Sequence, residues 1–429
     1  MWLRLAALAA FAIAPCVHAQ VPSPAVSPET LTLDDAIARV ARAHPDLRLF
    51  GARTEVLLAE RDAALLRPAL SAGIQVENAL GTGDARGFSA AELTLTLAGV
   101  LERGGKLDAR RTLAQARIDA LSVQREAQRL DLLAEVARRY LAVTAAHAHH
   151  GIAVQDIAQR RRTVAAARQR LQAGASPESV VLTAQAALAR AEMTLARAAQ
   201  QQDAARQHLA ALWGERAPRF AVASGDPLTL PAIDDMQALA TLLEGTPELA
   251  QFADEHRLRE ARLRLARSTA TPDLDWQVGV RRLQESGDTA LVGSVSLPLG
   301  STHRAGPEIR AAEADLAALA IERESRDIAL YATLADAHGR YRVSQLEVQR
   351  VRDDVLPRLM RAEQAAERAY RAGAISYLEW AQLQSETTST RRQQLEAALE
   401  AHRALIELQR LTGQALVAQP AIHEQGSTP

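Results

Sequence analysis

The sequence predicts a mainly α protein with a small β part, in which long antiparallel helical hairpins carry four short strands. Three observations support this: long windows lack proline and nearly lack glycine, the second half of the chain repeats the first, and each half holds two segments alternating at period two. Composition agrees. Of 429 residues, 48% are hydrophobic but only 3% aromatic, and about a fifth are alanine, the strongest helix former. The 50 Lys+Arg and 51 Asp+Glu give a formal net charge of −1, so the basic excess that a nucleic-acid partner requires is missing. The single cysteine, Cys16, excludes a disulfide framework and a cysteine metal cluster.

Residues 1–20 read as an export signal, with Arg4 in a short basic start, an apolar run over 5–14, and Val17-His18-Ala19 before Gln20. The run is too short to span a bilayer, and the small residues Val17 and Ala19 predict cleavage after Ala19. The alternative is lipoprotein processing at Cys16, which Pro15 opposes by standing where that pathway normally wants Gly or Ala. No later stretch approaches the roughly 18 to 20 uninterrupted apolar residues of a transmembrane helix. A mature chain that enters a membrane must therefore do so with strands.

Proline is absent between Leu113 and Ser176, between Glu178 and Ala217, between Glu308 and Leu356, and from Arg358 to Gln419. Ala, Leu, Arg, Gln and Glu fill these windows, which predicts long helices; one over 113–173 would run about 90 Å at 1.5 Å per residue. Pro357 is expected to kink or break the corresponding helix of the second half.

The windows are copies. His44-Pro45-Asp46-Leu47 recurs as Thr246-Pro247-Glu248-Leu249, and Pro68-Ala69-Leu70 as Pro272-Asp273-Leu274. Gln115-Ala116-Arg117-Ile118-Asp119-Ala120-Leu121 matches Glu313-Ala314-Asp315-Leu316-Ala317-Ala318-Leu319. Leu171-Gln172-Ala173-Gly174-Ala175 matches Tyr370-Arg371-Ala372-Gly373-Ala374, and Leu212-Trp213-Gly214 matches Leu411-Thr412-Gly413. All five correspondences lie close to two hundred residues apart and in the same order, which indicates a tandem duplication.

Four segments alternate at period two. Leu70, Ala72, Ile74 and Val76 interleave with Ser71, Gly73, Gln75 and Glu77; after the glycine-rich link at 81–84, Leu93, Leu95 and Leu97 interleave with Glu92, Thr94 and Thr96. In the second half Leu274, Trp276, Val278 and Val280 interleave with Asp275, Gln277, Gly279 and Arg281, and Leu291, Gly293, Val295 and Leu297 with Val292, Ser294 and Ser296. Each segment has about the 9 to 11 residues of a tilted membrane-spanning strand. The alternative is a soluble hairpin pair half-buried on helices, which the same alternation would suit.

The expected organisation is thus a signal peptide at 1–19, a first repeat over 20–230, a second over 231–416 and a flexible tail at 417–429. Strands fall at about 69–78, 90–100, 273–282 and 290–299, and long helical hairpins at 108–213 and 308–412. Four strands in lipid cannot close alone, because barrels start at about eight and an open edge leaves backbone groups unpaired in hydrocarbon. Further copies of the chain must complete the barrel: two would leave little lumen, three a usable bore. Alanine-rich helices suit a thin wall curved around a hollow.

These residues resemble the TolC-like outer-membrane efflux factor family, in its heavy-metal branch. Leu31-Thr32-Leu33-Asp34-Asp35-Ala36-Ile37 followed by His44-Pro45-Asp46-Leu47 is similar to the family's opening helix and turn. Leu101-Glu102-Arg103-Gly104-Gly105-Lys106, with Arg110-Arg111 after it, is similar to the L-E-x-G-G-K-R segment by which that branch leaves its second strand, and the turns at Gly174 and Gly373, the latter before Ser376-Tyr377-Leu378-Glu379, to the periplasmic tips. The resemblance implies a homotrimer in the cell outer membrane, with four transmembrane β-strands per chain closing a 12-stranded β-barrel above a periplasmic α-barrel. It implies a passive exit duct that docks through its tips with a periplasmic adaptor (membrane fusion) protein and an inner-membrane RND transporter expelling heavy-metal cations. The loops at about 79–87 and 284–288 would face outward and the segment at about 213–240 would form a belt midway along the tunnel.

The resemblance also places candidate sites. The position matching the first acid of the family's tunnel constriction is Glu379, while the next falls near the uncharged Gln382; three copies of one carboxylate around an axis would favour cations. The plainer alternative is a glutamate favoured by its helix dipole. Gly174, Ala175, Gly373 and Ala374 are candidates for adaptor docking at the tips, where glycine supplies the positive φ common at helix ends. His147 and His150 share a helix face, but two imidazoles without a nearby carboxylate or cysteine make a weak metal site, and polar positions on a long helix are the expected reading, with His149 between them. Arg160-Arg161-Arg162 reads as a solvated face.

No phosphate-cradling loop, nucleophile motif or zinc-spaced His pair occurs, so neither an enzyme nor a cofactor is expected. Two other functions fit the same residues. One is a duct for drugs or for type I protein secretion, since cargo selection lies mainly with the inner-membrane partner; the other is an exported coiled-coil tether without channel activity.

Overall fold

A computed structural model describes residues 30–223 and 225–415. The expected signal peptide, Cys16 and the tail at 417–429 lie outside the described residues. In chain order the elements are β1 (Thr30–Leu31), α1 (Leu33–Ala43), α2 (Pro45–Ala64), β2 (Ser71–Glu77), β3 (Glu92–Leu101), α3 (Lys106–Gln172) and α4 (Glu178–Ala210). There follow β4 (Ala221–Val222), α5 (Met236–Leu243), α6 (Pro247–Thr269), β5 (Leu274–Leu283), β6 (Thr289–Ser296), α7 (Ser301–Arg350), α8 (Leu356–Ala372) and α9 (Tyr377–Thr412).

Helix starts follow local chemistry. Thr32 and Asp35 form a reciprocal capping box on α1, and α2 and α6 both begin on proline, whose fixed φ and missing N–H suit the first turn. The long helices α3 and α7 are launched from glycines in the left-handed region, Gly105 at φ +72° and Gly300 at φ +80°. At 67 residues α3 runs about 100 Å without a break. Its counterpart does break: a π-helical turn at Val351–Val355 separates α7 from α8 immediately before Pro357. Pro357 has no N–H to give the carbonyl of Asp353 and its ring crowds that carbonyl, so the helix widens by one residue there. The second long helix begins earlier than the 308 expected, at Ser301, because Gly300 sets its start and Pro307 near that end removes only one backbone bond.

The helices form a curved wall instead of a bundle around one core. Near the sheet the order across the wall is α2, α3, α6, α7; towards the far end it is α4, α3, α9 and then α7 with α8. Alanine fills much of the contact, as at Ala134, Ala137, Ala166, Ala167, Ala398 and Ala401, so the layers approach closely. Two larger apolar clusters lie midway. Leu31, Val40, Val136, Leu209 and Phe220 knit α1, α3 and α4. Leu239, Leu334, Tyr341, Leu405 and Leu408 knit α5, α7 and α9. The segment between α4 and α5 is strapped to the wall by the Tyr140 hydroxyl, which donates to Ala223 O at 2.7 Å, and by Tyr341, which donates to Pro231 O. Burial pushes both phenols up to about 12, which keeps them donors.

The four long strands make one antiparallel sheet in the order β2-β3-β5-β6, so the β3–β5 pair joins the two halves. Register aligns Ile74, Leu95, Val280 and Leu291 in one row and Ala72, Leu97, Val278 and Gly293 in the next. All the apolar alternates therefore share one face, and none of the described residues covers it: Ile74 is 75% exposed and Leu291 89%. This excludes a soluble hairpin half-buried on helices. Among the described residues no helix is long and apolar enough to cross a membrane.

Candidate channel wall and hairpin tips

The opposite face of the sheet is polar, and its charges are organised around Arg281. The guanidinium donates to Glu92 at 2.9 Å and to the Thr94 hydroxyl at 3.1 Å, and lies 3.1 Å from a Glu77 oxygen, tying β5 to β3 and β2 at the loop end of the sheet. Two carboxylates on one cation leave that end of the polar face net negative. On the lipid-compatible face Trp276 lies against Gly99, where an added Cβ would stand 2.9 Å from the indole. The glycine lets a large ring lie flat across its neighbour strand at the helix end of the sheet, where interfacial tryptophans are common.

The junction between sheet and helices is built from the Gly-Gly-Lys segment. Gly104 at φ +73° brings the backbone against α6, where a Cβ would stand 2.6 Å from Thr271 Cβ. Lys106 then reaches Asp273 at 2.7 Å, and Arg110 clamps Glu102 at 2.8 Å while donating to Ala64 O at 3.1 Å. The Arg110 hydrogen bonds hold the Glu102 carboxyl below its ordinary value. Burial works against ionisation of Asp273, yet Lys106 and the Arg103 N–H keep it below the ordinary range. Asp273 and Arg110 carry this junction; Arg110 follows the Gly-Gly-Lys segment on α3, whereas Asp273 lies far along the chain and spacing alone did not single it out as the partner of Lys106.

At the far end the two hairpins turn in the same way. Gly174 N–H bonds Leu171 O and Ala175 N–H bonds Arg170 O; Gly373 N–H bonds Tyr370 O and Ala374 N–H bonds Ala369 O, each at 2.9 to 3.0 Å. Both are Schellman turns, with the glycines at φ +70° and +82°. The tips are brought together by residues that sequence reasoning missed. Arg170 donates to Tyr370 O in the second hairpin and, at 3.2 Å, to Ala175 O in the first, with its Cζ 4.9 Å from the Tyr370 ring centroid. Tyr370 in turn packs on Trp380 with ring centroids 5.1 Å apart, beside Ala166 of α3. A buried aromatic of this kind stabilises the contact by about 1.5–3 kcal/mol.

Glu379 lies in the first turn of α9 and folds back on it. Its carboxylate accepts from Ser376 N–H at 2.7 Å and from the Ser376 hydroxyl at 2.9 Å, and the Ser376 N–H bond is the main reason the acid titrates below its ordinary value. Both bonds use one oxygen, Oε2. The histidines do not gather: His147 meets Gln202 of α4 at 3.3 Å and His149 meets Glu396 of α9 at 3.0 Å. Among the described residues no three His, Cys, Asp or Glu side chains come together as metal ligands. Arg161 meets Glu192 on the exposed helix face, whereas Arg160 pairs with the buried Asp156 at 3.2 Å and is itself largely covered.

A thin wall of long helices carrying a sheet with one bare apolar face and one polar face defines an outer-membrane channel subunit. Residues 39–215 and 238–414 each match the family described as outer membrane efflux protein, so the chain belongs to that family, whose members are efflux channels and not enzymes. The chain is 28% identical over 313 residues to the cobalt-zinc-cadmium resistance protein CzcC of Cupriavidus metallidurans, spanning 73% of this chain and 75% of the relative. It is 31% identical over 290 residues to the protein CyaE of Bordetella pertussis, spanning 66% and 61% respectively. The fold matches the crystal structure of CusC with a TM-score of 0.74 at 17% identity over 89% of this chain and 92% of that one.

Proposed function

We propose that the protein is the homotrimeric exit duct of a tripartite pump for heavy-metal cations. Its likeness to a cobalt-zinc-cadmium resistance protein, over about three quarters of both chains, carries the cargo reading. The open edges support the trimer: β2, α2 and α4 from the first half line one side of the wall, and β6, α7 and α8 from the second line the other. Unlike edges join head to tail and close a ring by rotation. Exposed apolar stripes fit this joint, with Leu49 and Val56 on α2 and Ile321 and Ile328 on α7.

In this reading the mature chain follows removal of residues 1–19, the sheet stands in outer-membrane lipid, and the helices cross the periplasm. The exposed Gly174-Ala175 and Gly373-Ala374 turns offer the adaptor two hairpins at once, an inner-membrane RND transporter supplies the energy, and Glu379 lines the narrow end with its second oxygen. Deleting the chain's gene should lower tolerance to cobalt, zinc or cadmium and raise their cell content, with organic-drug tolerance unchanged. Normal metal tolerance with lost drug tolerance would replace the cargo reading and leave the duct intact.

A further inference from the structure

Just above the tips the two hairpins meet across a seam lined by buried polar side chains. From α3 come Asp156, Gln159 and Thr163, and from α9 Gln384, Thr387 and Thr388, all buried. Thr163 donates to Gln384 at 3.0 Å and Thr388 to Asp156 at 3.4 Å. Glu363 of α8 enters the same seam and accepts from Gln159 Nε2 at 3.1 Å.

One acceptor beside Glu363 lacks a hydrogen. Gln159 Oε1 is buried with no partner although Gln159 is only 8% exposed. The Thr387 side chain, which also bonds Leu383 O at 2.9 Å, lies against the carboxyl and favours its charged form. An ionised carboxylate only accepts and cannot satisfy Gln159 Oε1, whereas a carboxylic acid has one hydrogen to give. A carboxylic acid and a primary amide are complementary in a two-bond ring, the amide N–H to one acid oxygen and the acid O–H to the amide oxygen. A buried acceptor left without a donor costs about 1–3 kcal/mol, so the seam favours the form that supplies one.

We propose that Glu363 and Gln159 form a proton-binding site between the two hairpins, so that α8 holds to the α3–α9 seam more tightly as the pH falls. Burial pushes the Glu363 carboxyl above its ordinary 4.5, against the Thr387 bond and the nearby Arg391 of α9 and Arg162 of α3, while Glu367 of α8 adds to the rise. The remaining charged pair of the seam, Asp156 with Arg160, is closed on itself at 3.2 Å. The sign follows from linkage. The docked hairpin binds the proton more tightly than the undocked one, so docking gains stability as pH falls towards and through the raised value, and loses it above. The site rests on the packing of one chain and not on the cargo.

The test is amide hydrogen exchange of residues 356–372 in the full-length protein in detergent, between about pH 8 and about pH 5, corrected for the intrinsic pH dependence of exchange. Protection of α8 in the wild type should rise several-fold as the pH falls. E363Q, whose amide can complete the same two-bond ring, should be protected and flat across the range. A flat wild type, or an E363Q protein that keeps the wild-type slope, overturns the proposal. Should E363Q fail to fold, Q159M decides, since it keeps the length of the side chain and removes the amide. Its slope must be shallower than the wild type's, and an unchanged slope sinks the site.

Discussion

Arg170 at the end of α3 donates to the carbonyl oxygen of Tyr370 near the end of α8 and lies over that residue's ring, its Cζ 4.9 Å from the centroid. One side chain thereby ties the first hairpin tip to the second, two hundred residues away in sequence. The carbonyl it uses already accepts the Gly373 N–H, so the tie grips the turn itself.

Replacing Arg170 should free the second tip. A charged hydrogen bond and a cation–π contact are together worth about 2–4 kcal/mol, and Arg170→Ala should therefore raise exchange of the amides at 366–376 while the trimer's melting temperature stays close to wild type. Arg170→Lys should recover only part of the protection, because a point charge cannot reach the Tyr370 and Ala175 carbonyls as a fork does. Equal protection in all three proteins would show that the tie carries no load.

The two tip glycines should respond differently. A Cβ at Gly174 meets nothing within 4 Å, whereas at Gly373 it comes to 3.6 Å from the Arg170 guanidinium. Positive φ costs either substitution about 1 kcal/mol. Bulky residues at either site are expected to abolish resistance with normal trimer assembly, and Gly373 variants should also show the exchange pattern of Arg170→Ala. Loss of the trimer would assign the glycines to folding instead of docking.

At the sheet–helix junction, Gly104→Ala should be far worse than Gly105→Ala. Both have positive φ, but only at Gly104 does the new methyl collide with the Thr271 side chain and the Ser268 carbonyl. The expected cost is about 1 kcal/mol at Gly105 and about 3 kcal/mol or more at Gly104, read as the yield of heat-resistant trimer. Similar yields would mean that the junction relaxes.

Glu379 should stay ionised through mildly acidic pH. Its titration value is lowered by the Ser376 bonds, so its charge is present above the ordinary 4.5 and is lost only as pH falls through the lower folded value. Cation preference in a planar bilayer should hold from neutral pH down to about pH 5 and should drop in Glu379→Gln at every pH. Arg281→Gln should act in the opposite sense, since it uncovers Glu77 and Glu92 on the polar face of the sheet. Unchanged reversal potentials in both variants would place the selective step outside this chain.

The sequence by itself determined the helices, the strands and the duplication, because these are periodic features read along the chain. Leucines at every second position from 93 to 97 state a strand with two unlike faces, and a proline-free run from 113 to 176 states a helix, whatever surrounds them. The tip glycines were legible for the same reason, since positive φ is a demand of the local backbone. Only the tertiary structure decided which residues meet. That β3 pairs with β5, that Lys106 finds Asp273, that Arg170 grips Tyr370 and that Gln159 faces Glu363 are contacts over more than 160 positions in each case. Glu379 shows the division within one residue. Its position near a tip was visible in the sequence, while the turn of its carboxylate onto Ser376 belongs to the folded helix end. Periodicity is a property of one segment, whereas partnership depends on how two segments a wall's width apart are brought side by side.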